Sequence, residues 1–211
     1  HFPLDESDGS SSAGSRSGSG AVVEVTEIGT GGELAFGGGT GPGTDGASSP
    51  TFTPAPGLGW KYLYGEVPAR DDLATGETLE AIFLTSVEDE QTVARWSDAY
   101  GQCIELGIDV DGKATASFAN PWNTSQNVTV TSSGIFADGR THVGAVNVAV
   151  SGGTVTLTLT VDGVVRGTPA TWATGAAFIY AFTTLSIGGS TLGRPFTGTI
   201  SHVAGFGSSL T

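Results

Sequence analysis

Thr154-Val155-Thr156-Leu157-Thr158-Leu159-Thr160-Val161-Asp162-Gly163-Val164-Val165-Arg166-Gly167 decides the fold. Val155, Leu157, Leu159 and Val161 alternate with Thr154, Thr156, Thr158 and Thr160, so on a strand one face is apolar and the other hydroxylated. Asp162-Gly163 has the chemistry of a two-residue type I′ turn, and Val164 to Gly167 returns as the partner strand. This hairpin needs a core on one side only.

The same construction recurs upstream. Ile104, Leu106, Ile108 and Val110 alternate with Glu105, Gly107 and Asp109, then Asp111-Gly112 turns, and Ala114, Ala116 and Phe118 come back. Further strands are expected near Val22 to Ile28, Thr78 to Ser86, Val128 to Ser132, Val143 to Val150, Phe182 to Ile187 and Thr197 to Phe206, each ended by Gly, Ser, Asp or Pro. Glu88 to Tyr100 is the best candidate for a helix, yet it lacks an i, i+3, i+4, i+7 apolar stripe. The chain therefore reads as all-β, with enough strands for two packed antiparallel sheets in a jelly-roll sandwich. Gly29 to Gly59, with Gly37-Gly38-Gly39, Gly41-Pro42-Gly43 and Pro50 to Pro56, does not read as a central strand and is expected to be a long surface excursion. Residues 1–28 are too few for a core of their own, so residues 1–211 are read as one domain.

Composition narrows the partners. Only 14% of residues are charged, but 21 Asp and Glu face 8 Lys and Arg, giving a net charge of −13. Such a surface repels a phosphate backbone, which excludes a nucleic-acid partner. No apolar run approaches the length of a membrane span, which excludes membrane insertion. The start at His1 shows no signal peptide and is expected to be a cut from a longer polypeptide or a processing product. Cys103 is the sole cysteine. It lies in the strand-like run Cys103-Ile104-Glu105-Leu106 and reads as a buried small apolar residue, not a nucleophile.

Three stretches resemble the laminin G-like, concanavalin A-type lectin/glucanase family. Phe2-Pro3-Leu4-Asp5-Glu6-Ser7 followed by Ser17-Gly18-Ser19-Gly20 resembles its first strand and Gly/Ser-rich turn. Thr141-His142-Val143, the Gly152-Gly153 turn and Leu159 to Thr168 resemble its central strands and their Asp-Gly hairpin. Leu185-Ser186-Ile187-Gly188-Gly189, Phe196 to Ile200 and Val203 to Leu210 resemble its closing strand. The resemblance implies a two-sheet jelly roll with first and last strands adjacent. It also implies binding of glycans or proteins, with polysaccharide hydrolysis in a minority of members. The Gly-, Ala- and Thr-rich, Met-free style is similar to that of tail and surface proteins of phages infecting actinobacteria. An Asp usual after the first strand is replaced here by Ser15 or Gly14, and a usual Asn by Ser19, which puts the family's calcium site in doubt. Asp5, Glu6 and Asp8 are the acids left to hold calcium, the one cofactor the sequence leaves open; three such acids also suit a solvated face.

Catalytic constellations are scarce. The Glu-x-Asp-x-Glu strand of the glucanase branch is absent, and Glu88-Asp89-Glu90 reads as loop. Glu105, Asp109 and Asp111 share a parity and would share a face, but they read better as outward positions of an amphipathic strand beside a turn than as a catalytic cluster. Asp162 reads as turn chemistry, and His142 and His202 as structural histidines. The aromatic residues are more informative: Trp122-Asn123 with Trp96, Asp98 and Tyr100 offers rings for stacking a sugar and polar groups for its hydroxyls, against the alternative that the aromatics fill the core.

The expectation is a non-catalytic adhesion module on the outside of a cell or virion, carried on a larger assembly such as a phage tail or fibre. Its partners would be a surface glycan or protein and the neighbouring subunits of that assembly. The alternatives are a decoration or cementing domain with no ligand, and a polysaccharide-cleaving glycosidase.

Overall fold

The computed structural model describes residues 12–14, 24–40, 48–55, 59–67, 76–173, 182–190 and 193–206. In chain order the strands are β1 (Ser12–Gly14), β2 (Glu24–Gly29), β3 (Glu33–Thr40), β4 (Ser48–Thr53), β5 (Lys61–Glu66), β6 (Glu77–Leu84), β7 (Gln91–Ser97) and β8 (Cys103–Ile108). They continue with β9 (Lys113–Ala119), β10 (Val128–Ile135), β11 (Thr141–Ser151), β12 (Thr154–Val161), β13 (Val164–Ala173), β14 (Thr184–Ile187) and β15 (Gly198–Phe206). Among the described residues a single 3-10 turn, Thr124–Gln126, interrupts them. Two antiparallel sheets result: a front sheet ordered β1-β2-β5-β14-β7-β8-β9-β10 and a back sheet ordered β13-β12-β11-β6-β15-β4-β3.

Period-two patterning decides which side of each strand meets the other sheet. In β12 every second residue from Val155 to Val161 is fully buried while the threonines reach the outer face. Opposite it, Ala114, Ala116 and Phe118 of β9 and Ile104, Leu106 and Ile108 of β8 close the same core. Fully burying a Val, Leu, Ile or Phe side chain is worth about 1.5–3 kcal/mol. The core also takes Trp96, and Gly205 makes room for it: a Cβ there would sit 2.9 Å from Trp96 Cζ3. At one side the sandwich is closed by β10 against β13, where the Arg166 guanidinium lies 5.5 Å from the centre of the Phe136 ring.

Both expected hairpins are present. Asp162 (φ 53) and Gly163 (φ 74) take the positive angles a type I′ turn demands. One expectation needs correction. The stretch 29–59 is not simply a surface excursion, because β3 and β4 lie within it; β4 pairs with both β3 and β15, and Phe52 is fully buried. Its ends carry alternating apolar residues, which the intervening Gly and Pro obscure in the sequence. β1 edges the front sheet and β15 lies inside the back sheet between β6 and β4; the first strand expected beside the last is a different stretch. The stretch Phe2 to Ser7 lies outside the described residues.

Candidate functional site

Antiparallel order places the β7–β8 and β9–β10 connections side by side at one end of the sandwich. Each lifts one aromatic ring into solvent. Tyr100 and Trp122 are both 69% exposed. Their rings meet edge to face, with centroids 5.3 Å apart and planes at 83°. Two large rings held this far into water, in contact with each other, form a ready apolar platform.

Short polar side chains fix the backbone beneath them. Asp98 Oδ1 accepts the Tyr100 and Gln102 N–H groups, both at 2.8 Å, folding the β7–β8 turn around one carboxylate oxygen. In the β9–β10 connection, Asn120 Oδ1 accepts the Trp122 N–H at 3.0 Å, and Asn120 Nδ2 donates to Gln126 Oε1 at 2.6 Å. Asn127 Oδ1 accepts the Asn120 N–H at 2.6 Å. Asn123 caps the 3-10 turn, its Oδ1 accepting from Ser125 N at 3.3 Å and Ser125 Oγ at 2.6 Å. Asn120 and Gln126 are buried, so this amide lattice is internal to the loop. Beneath the platform Gln102 is fully buried, and neither end of its amide has a hydrogen-bond partner.

Of the five residues expected to contact a ligand, Asp98, Tyr100, Trp122 and Asn123 therefore fall in these two adjacent connections. Asp98 and Asn123 serve as turn caps. Trp96 is the correction: it lies within β7, only 4% exposed, with its ring 5.6 Å from that of Phe182. Its parity on β7 matches Ala94, which turns it into the core and away from the loops. Gln102, Asn120 and Gln126 were not singled out in the sequence; for Asn120 and Gln126 the concentration of amides around Trp122 is the one signal. Asp5, Glu6 and Asp8 lie outside the described residues. Among the described residues, no group of three or more His, Cys, Asp or Glu is placed to hold a metal ion.

Glu105 and Asp109 do not form a catalytic pair. Glu105, on the outer face of β8, is buried and ion-paired with Arg95 (3.5 Å) and Arg194 (3.2 Å). Asp109 Oδ1 accepts the Asp111 and Lys113 N–H groups at 2.9 Å, and Asp111 meets Lys113 Nζ at 3.0 Å. Four residues of extended chain separate Glu105 from Asp109 by about 13 Å, beyond the roughly 5–9.5 Å that glycoside hydrolysis requires.

His142 is held by two carboxylates, its Nδ1 2.8 Å from Asp162 Oδ2 and its Nε2 3.0 Å from Asp138 Oδ1. Phe83 and Phe136 flank the ring. The bond to His142 holds Asp138 below the usual carboxylate range. For Asp162, burial acts to raise the pKa, but the Val143 N–H and His142 outweigh it and the net shift is downward. Burial pushes the Cys103 thiol up to about 11, so it is no nucleophile at neutral pH.

Neither a family model nor a curated protein sequence matches the chain. Among solved structures it is similar to domains LG4-5 of the mouse laminin alpha1 chain, with a TM-score of 0.55 and 14% identity over 71% of this chain and 40% of that one. It is similar also to the enzymatically active domain of bacteriophage CBA120 tailspike protein 2, with a TM-score of 0.52 and 11% identity over 86% of this chain and 29% of that one. The Ruminococcus gnavus IT-sialidase CBM40 aligns at a TM-score of 0.48 and 15% identity over 69% of this chain and 89% of that one. The chain spans less than half the length of the first two. At these identities the likeness to the first two is one of architecture, and together with the two antiparallel sheets it gives the chain the laminin G/concanavalin A-like jelly-roll fold.

Proposed function

We propose that this domain is a non-catalytic binding module for a surface glycan, displayed outside the cytoplasm on a larger assembly such as a phage tail or fibre, and that the Tyr100–Trp122 platform is its ligand face. The fold hosts binding modules and enzymes alike, so it does not choose between them. One observation carries the reading: two contacting rings, each 69% exposed, stand on loops locked by buried amides. A pyranose ring can lay its C–H face on the indole while the amides and hydroxyls of residues 123–125 meet its hydroxyl groups. The separation of Glu105 from Asp109 supports binding over hydrolysis. A decoration or cementing role draws on a different feature, the exposed Val110, Ile135, Val164 and Val165.

A glycan array probed with the purified chain, with and without EDTA, tests the proposal. Selective binding is expected to fall at least tenfold, about 1.4 kcal/mol, in Trp122→Ala and in Tyr100→Ala. EDTA sensitivity would add calcium held by Asp5, Glu6 and Asp8. Binding that both substitutions leave intact would remove the platform from the reading. Polysaccharide hydrolysis abolished by changing one acidic residue would replace the reading altogether.

A further inference from the structure

The end of the sandwich opposite the platform carries a cavity of about 620 Å³, within the range of small-molecule sites, roughly 300–1,000 Å³. The β4–β5, β6–β7 and β14–β15 connections build it, and Pro54, Ala55, Trp60, Asp89, Pro195 and Thr197 are among the residues lining it. Its walls are tied together. Gln91, buried at the start of β7, donates from Nε2 to Val87 O at 2.6 Å and accepts the Thr197 N–H on Oε1 at 2.7 Å. The Arg194 guanidinium spans Glu90 (2.9 Å) and Glu105 (3.2 Å), fastening the β14–β15 segment to the front sheet. The cavity is thus a braced feature of the fold.

Its lining defines what fits. The Trp60 indole and the rings of Pro54 and Pro195 supply apolar surface. Asp89 is the sole charged lining residue among those described, and the one nearby guanidinium, that of Arg194, is spent on Glu90 and Glu105. With a net charge of −13 on the chain, the site repels anions.

We infer that this cavity is a second ligand site, taking a neutral sugar unit of an oligosaccharide. The apolar ring face packs on Trp60 and the prolines, and hydroxyl groups donate to Asp89. Strands of 6–8 residues at about 3.3 Å per residue set the two sites about 20–26 Å apart, so one chain would hold two glycan segments at opposite ends. The inference stands independently of the platform.

The test uses the full chain carrying Tyr100→Ala and Trp122→Ala, so that only the second site is read. Isothermal titration is made with cellotetraose, maltotetraose, laminaritetraose and chitotetraose, and with choline chloride and sodium sulfate as charged controls. Saturable binding of at least one tetraose is expected, weakened at least tenfold by adding Asp89→Ala and, separately, Trp60→Leu, which keeps an apolar side chain but removes the aromatic face. Asp89 is exposed, so its substitution leaves the fold intact, which circular dichroism checks. Binding of none of the four sugars, binding that both substitutions leave unchanged, or binding of choline or sulfate in their place would each overturn the inference.

Discussion

Asp162 combines a strained backbone angle with two hydrogen-bonded acceptors, and a three-member substitution series separates the contributions. At φ 53 a residue other than Gly, Asn or Asp costs roughly 1–2 kcal/mol. Oδ1 accepts the Val143 N–H at 3.0 Å, a bond worth about 0.5–1.5 kcal/mol. Oδ2 faces His142 at 2.8 Å. Because the Asp162 side chain is 42% exposed, water replaces part of that contact, and its loss is set at about 1 kcal/mol. Asp162→Ala loses all three contributions and is expected to cost about 3–4 kcal/mol; Asp162→Gly avoids the angular strain and costs about 2; Asp162→Asn keeps the angle and the Val143 acceptor and costs about 1 or less. Urea unfolding followed by tryptophan fluorescence reads the order directly from the midpoints at constant m-value. An Ala variant no worse than Gly would show that the turn stores no left-handed strain. An Asn variant as damaged as Ala would show that the charge on His142's partner, not the backbone, dominates.

The same cluster predicts an acid limb. Asp138 and Asp162 have folded pKa values below the ordinary 3.8, so their contribution is fully present above that value and is lost as pH falls through the folded values. The stability gap between wild type and an Asp138→Asn/Asp162→Asn double variant should shrink as pH falls below the ordinary 3.8; a gap that widens in acid would contradict the assignment. Gln102 yields the opposite kind of expectation. Both ends of its amide are buried without partners, so Gln102→Leu, close in volume and with nothing to desolvate, is expected to leave stability unchanged or raise it by up to about 2 kcal/mol. A loss above about 1 kcal/mol in thermal or urea unfolding would show that the amide is bonded in solution.

How far the sequence disclosed all this varied with how local the cause was. The β12–β13 hairpin was legible because alternation, turn residues and returning strand lie within one short stretch, and Asp162 carries the positive φ its turn type demands. The β3–β4 pair was not, because Gly and Pro dominate that stretch while the facts that make strands of it, Phe52 in the core and β15 alongside, come from distant chain. Tyr100 and Trp122 were legible as exposed aromatics in polar loops; Trp96 has the same neighbours in sequence but an inward parity on β7, which only the register fixes. The cavity around Trp60 was invisible for a related reason: its three connections are far apart in the chain and meet only when both sheets are assembled.

The order of strands also governs when the molecule can exist at all. β14 lies between β5 and β7 in the front sheet, and β15 between β6 and β4 in the back sheet, so each sheet receives a central strand from the last part of the chain. During synthesis, a nascent chain ending before Thr184 has all the flanking strands but a gap in each sheet, with unpaired edges and a partly uncovered core. Completion is therefore expected only once Thr184–Phe206 has left the ribosome, through pairings of large sequence separation that fold slowly. A nonsense change anywhere before β15 would yield an aggregation-prone fragment rather than a shortened domain.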